Sequence, residues 1–137
     1  MIRADVKALI DGKNVATVST LMPNGQIQSH VVWVDRDDDH VVINTEVALR
    51  KFKNVQADPR CTLTVWDRKN PYCFAELRGR VVGVVTGPEA RANIDALAQK
   101  YLGTDSPDDL ISSERVIMKI APDSQLLFAC GMHDIRR

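Results

Sequence analysis

Along the chain, residues 15–20 and 27–34 are rich in the β-branched residues Val, Ile and Thr, and this predicts two strands. Between them stands Pro23-Asn24-Gly25, whose Asn-Gly step accepts the positive φ of a tight turn, so the two strands form a hairpin. Residues 4–10 read differently: Val6, Leu9 and Ile10 share one helical face, and Asp11-Gly12 stops a short leading helix. The acidic run from Asp35 to Asp39 repels itself and predicts an exposed turn, with a third strand at 40–45 after it. Over 47–57 the period becomes helical through Leu49, Phe52 and Val55, and Pro59 ends the helix by pushing its predecessor out of α conformation.

The β pattern resumes at 61–66. A long segment at 72–86 follows, in which Gly79 and Gly83 allow a bend. Gly87-Pro88 opens another helix with its apolar stripe on Ile94, Leu97, Ala98, Tyr101 and Leu102, and Gly103 closes it. Residues 104–113 read as loop, and 115–120 and 125–130 as two final strands around Pro122-Asp123. About seven strands with two or three short helices, too few for parallel crossovers, predict a mostly β, antiparallel sheet that closes on itself to remove its edges. The 137 residues fit one domain, 1–137.

Charge adds little to this outline. Lys plus Arg equals Asp plus Glu at 18 each, so the chain lacks the net positive field expected of a nucleic-acid binder. No run approaches the ~20 apolar residues of a membrane span, and the N-terminal residues lack a signal-peptide core; the expectation is a cytoplasmic protein without membrane association. Cys61, Cys73 and Cys130 are odd in number and widely spaced, which predicts reduced, buried thiols. His30, His40 and His133 are too scattered for a metal site, and neither a nucleophile elbow nor a phosphate loop occurs, so any chemistry relies on a cofactor.

The most informative stretch runs from Thr45 to Asn54, where a strand enters a helix carrying Arg50, Lys51 and Lys53. Exposed amides at a helix start favour negative charge, and these cations add donors for phosphate or carboxylate oxygens; the competing reading is a solvated basic face balancing Glu46 and Asp58. Trp33 and Trp66, at strand ends, suit either a planar ligand or an interface. Glu76, Arg78 and Arg80 share a strand face, spaced for cross-strand salt bridges or for an anionic ligand.

Taken together, these features resemble the pyridoxamine 5'-phosphate oxidase-like FMN-binding split-barrel superfamily, and within it the F420-dependent oxidoreductase branch. The order that carries the resemblance is Ala16-Thr17-Val18-Ser19-Thr20, Pro23-Asn24-Gly25, Val32-Trp33-Val34, Lys51-Phe52-Lys53-Asn54-Val55, Asp58-Pro59-Arg60, Pro71-Tyr72 and Glu76-Leu77-Arg78-Gly79-Arg80. The resemblance implies a split β-barrel and a homodimer with the cofactor in a groove between subunits. It assigns phosphate contact to Lys51, with Lys53 and Asn54 beside it, and ring contacts to His30, Val31, Val32, Trp33, Asn44 and Thr45. Arg50 would serve the anionic tail of F420, and Trp66 and Arg78 would lie on strands meeting the partner. The implied activity is hydride transfer from reduced F420 to a small conjugated or unsaturated substrate. An FMN-dependent oxidase or reductase and a non-catalytic flavin- or F420-binding protein are the alternatives.

Overall fold

The computed structural model describes residues 1–106 and 113–128. Helix α1 (Ala4–Asp11) leads into the hairpin β1 (Val15–Leu21) and β2 (Ile27–Trp33). Gly25 at the hairpin tip has φ +86°, and the Met22 N–H donates to the Gln26 carbonyl across the turn at 2.7 Å. Then come β3 (Asp35–Arg36), β4 (Val41–Glu46), α2 (Arg50–Ala57), β5 (Arg60–Trp66), β6 (Phe74–Thr86), α3 (Pro88–Leu102) and β7 (Arg115–Phe128).

All seven strands join one antiparallel sheet in the order β2-β1-β5-β6-β7-β4-β3. Its two outer strands, β2 and β3, are consecutive in the chain and separated by Val34 alone. A single residue can join opposite edges only if the sheet curls until they meet, which makes this a split barrel. The inward side chains, among them Val18, Leu63, Leu77, Met118 and Ile43, form the main core with Val6 and Ile10 of α1 and Phe52 and Val55 of α2. Fully burying each such aliphatic side chain contributes roughly 1.5–3 kcal/mol.

Helix α3 lies outside this core. Its Ala90 joins Val42 and Ile117 on the outer side of β4 and β7, while Ile94, Leu97 and Tyr101 pack with Val15 and Trp33 at the split. The helix therefore bridges the seam where the sheet edges meet.

Three expectations are corrected. Asp35 and Arg36 form a short strand on β4 instead of belonging wholly to a turn, because the alternating register continues past Val34. The two final strands are one, β7, running through Pro122. Proline is accommodated there because the β6–β7 register shifts between Arg78 and Gly79. Gly79 allows the approach: a Cβ on it would lie 2.1 Å from the Ala121 carbonyl oxygen. Lastly, Cys73 is disulfide-bonded, whereas Cys61 is a buried free thiol. Cys130, His133 and most of the 104–113 loop lie outside the described residues.

Candidate functional site

At the split, a cavity of about 350 Å³ opens between β2 and β4. Val31, Val32 and Trp33 of β2 form one wall, and Asn44 and Thr45 of β4 the other. Ile94 and Leu97 of α3 supply apolar surface, while Lys51 of α2 and Arg115 of β7 mark a cationic end. Such a volume lies within the ~300–1,000 Å³ range of small-molecule sites, and an apolar cleft with a few convergent polar groups is their usual composition.

The cationic end follows from local structure. Helix α2 has Leu49 as its N-cap, with no side-chain cap and no acidic residue in its first turn, leaving the positive end of its dipole uncompensated. Lys51 turns into the cavity; the residue is only 9% exposed, and its side chain makes neither hydrogen bond nor ion pair among the described residues. Burial lowers its pKa; Arg115 pushes the same way and Glu46 opposes. An ammonium held in this state gains much from an incoming anion.

Arg115 is brought alongside by the β4–β7 ladder, in which Glu46 pairs with Arg115. Its Nε donates to Asn44 Oδ1 at 2.9 Å, and its Nη1 lies 3.6 Å from Glu46 Oε2. Asn44 is fixed by its own donations to the Ala90 carbonyl at 2.8 Å and to Asn93 Oδ1 at 3.0 Å. Glu46, buried like Lys51, accepts the Ser113 N–H at 2.7 Å. Burial and the nearby Arg91 lower the pKa of Arg115, with Glu46 acting against them. Arg115 thus pairs with this carboxylate, while Lys51 feels only its field.

The other end is aromatic. Trp33 stacks on Tyr101 with centroids 5.2 Å apart and planes 6° from parallel. The Tyr101 hydroxyl donates to the Asn14 carbonyl and accepts the Val34 N–H, and Lys100 Nζ donates to the carbonyls of Ile10 and Val34. The end of α3 thereby holds the single residue that joins the two sheet edges.

Six of the residues singled out from sequence meet in this cavity: Val31, Val32, Trp33, Asn44, Thr45 and Lys51. His30 is exposed on β2 beside them and does not line it. Arg50, Lys53 and Asn54 border a separate depression beneath the hairpin turn. Asn54 is buried there, donating to Thr20 Oγ1 at 3.0 Å. Trp66 lines a small apolar site with Phe74, and Arg78 lines a separate cavity of about 370 Å³ together with Arg60 and Asp123. Of the cross-strand salt bridges expected for Glu76, Arg78 and Arg80, Arg80 forms one, with Asp123 of β7 at 2.8 Å, while Arg78 Nε pairs with Glu76 within β6 at 2.8 Å. Sequence reasoning missed Arg115, Ile94, Leu97 and Ser106, which reach the cavity through β7, α3 and the segment after α3.

A family model described as pyridoxamine 5'-phosphate oxidase matches residues 2–126. No curated protein sequence matches the chain. Among solved structures, an F420 reductase is 26% identical, with a TM-score of 0.79 over 91% of this chain and 98% of the other. A conserved hypothetical protein from Mycobacterium tuberculosis is 20% identical, with a TM-score of 0.75 over 93% of this chain and 84% of that one. General stress protein 26 from Bacillus anthracis is 14% identical, at 0.68 over 90% of each chain, a likeness of fold.

Proposed function

Since the chain belongs to the pyridoxamine 5'-phosphate oxidase family, we propose that its cleft binds a flavin-type cofactor, coenzyme F420 in preference to FMN. The reaction is hydride transfer from the reduced deazaflavin to a small conjugated or unsaturated acceptor. The observation that carries this reading is Lys51: a buried lysine whose side chain has no partner among the described residues and, like that of Arg115, lines the cationic end of an otherwise apolar cleft. The 26% identical F420 reductase favours F420 over FMN.

The residues fit such a cofactor. Lys51 and Arg115 offer charged donors to its phosphate, and Val31, Val32, Trp33, Ile94 and Leu97 offer apolar surface to its ring. Arg50 and Lys53, across α2, are assigned to the anionic tail, with Asn54 a buried support between them and Thr20. When bound, the reduced cofactor supplies the hydride. The chain's own contribution is orientation and exclusion of water: Asn44 holds the Arg115 guanidinium, and the Trp33–Tyr101 stack fixes one wall.

A second copy of the chain completes the groove in this proposal. Val31 lines the cleft yet is 65% exposed, and Ile27 on the same strand is 69% exposed, so the cleft is open on its β2 side. Trp66 and Arg78 are the residues assigned to the partner-facing strands, and His30, exposed beside the cleft, to a ring contact. The protein is proposed to act in the cytoplasm; among the described residues no helix is long and apolar enough to cross a membrane.

Titration with F420 and separately with FMN, followed by ring fluorescence, tests the reading. Saturable F420 binding tighter than FMN binding supports it. The reverse order moves the protein to FMN chemistry, and binding of neither rejects the cofactor site. Single-turnover oxidation of bound reduced F420 by candidate acceptors then separates an enzyme from a carrier, which leaves the rate at its solution value.

A further inference from the structure

We infer that Glu46 makes the cationic end of the cleft selective for a phosphodiester over a phosphomonoester. The inference rests on the proposed cofactor site and adds to it the charge of the group accepted there. A phosphodiester carries one negative charge at neutral pH, whereas a monoester, with a second pKa near ~6, carries about 1.5 to 2. FMN ends in a monoester; the phosphate of F420 is esterified on both sides.

Among the described residues, the charges that face this end come from four elements. Lys51 on α2 and Arg115 on β7 are the cations at the cavity wall. Glu46 on β4 lies behind Arg115, with its Oε2 3.6 Å from Nη1, and is anchored by the Ser113 N–H and hydroxyl. Arg91 on α3 acts on Arg115 from further off and is itself matched by Asp95 at 3.3 Å. The ionised side chains of Lys51, Arg115 and Glu46 together leave one formal positive charge to be balanced, beside the partial charge of the α2 N-terminus. A monoanion balances it, while the second charge of a monoester meets the field of Glu46 with no further cation at the wall among the described residues. In a partly dehydrated cleft that repulsion is weakly screened.

Glu46 does not line the cavity, so it acts through Arg115 and through its field. Replacing it by Gln keeps its shape and an oxygen for the Ser113 N–H while removing its charge. The prediction is a change in preference between ligands, which a general loosening of the site does not produce.

The test compares phenyl phosphate with its methyl diester, by calorimetry on the full chain, and FMN with F420 by ring fluorescence. In the wild type at pH 7.5 the diester of each pair binds more tightly. E46Q shifts the ratio toward the monoester on the order of tenfold. Lowering the pH from 7.5 to 5.5 strengthens monoester binding to the wild type as that phosphate takes up a proton. The diester, with no proton to gain, controls for titration of the protein groups named above. This arm needs no variant and stands if E46Q does not fold. Equal shifts of both partners in E46Q, or parallel pH profiles, overturn the inference. If neither F420 nor FMN binds but the phenyl esters behave as described, the cofactor reading falls while the role of Glu46 holds.

Discussion

Trp33 and Tyr101 stack face to face across the seam of the barrel, 5.2 Å between centroids, and the Tyr101 hydroxyl also caps the backbone of Val34. One residue of α3 thus sets both the wall of the cleft and the joint between the sheet edges. Tyr101→Phe keeps the stack but strips the Val34 N–H and the Asn14 carbonyl of their partner. The expected cost is about 1–3 kcal/mol in urea denaturation, with cofactor affinity nearly unchanged. Tyr101→Leu removes the stack as well, and its cofactor affinity is expected to fall.

Lys51→Ala is expected to weaken cofactor binding by about 1.5–3 kcal/mol, as for the loss of a charged hydrogen bond, and to leave the fold intact by circular dichroism. The pH dependence carries a definite sign. Anion binding needs the protonated ammonium, and burial holds the Lys51 pKa below 10.5. Affinity therefore persists at neutral pH and declines as pH rises through this lowered value, earlier than for an exposed lysine. In Lys51→Ala that alkaline limb disappears. An affinity equal to wild type across the profile rejects the phosphate assignment.

Gly79→Ala places a methyl group against backbone, 2.1 Å from the Ala121 carbonyl oxygen, where no side chain can swing aside. Destabilisation of about 1–3 kcal/mol is expected, measured by chemical denaturation. Gly83→Ala meets only ordinary contacts with the Lys119 side chain and serves as the control. Equal stabilities for the two variants would show that the bulge yields.

Light scattering at micromolar concentration is expected to give the mass of two chains. Ile27→Lys, on the exposed and apolar edge strand, is expected to shift the protein toward one chain. A monomeric wild type contradicts the shared groove.

The hairpin was legible because Asn24-Gly25 has one comfortable backbone conformation, and α3 because its apolar stripe keeps helical spacing between Pro88 and Gly103. Helix α2 starts three residues later than its periodicity suggests. Residues 47–49 are instead held in a turn by the Val47 N–H on the Glu114 carbonyl and the Leu49 N–H on that of Glu46. The basic run was legible as an anion site, but successive helical residues diverge by about 100°. Arg50 and Lys53 therefore face one depression while Lys51 faces another. Arg115 was hidden because its place beside Glu46 depends on the register of two strands far apart in sequence. Strand β7 was divided wrongly because proline ordinarily breaks a ladder, and the offset opposite Gly79 that admits Pro122 exists only once β6 and β7 have paired.

The most direct test of the whole account is a crystal structure of the protein with F420 bound. The expected result puts the phosphate within hydrogen-bonding reach of Lys51 and Arg115, and the ring between β2 and β4 against Trp33. A phosphate seated instead in the depression of Arg50 and Lys53, with the cleft at the split left free of cofactor, would contradict it.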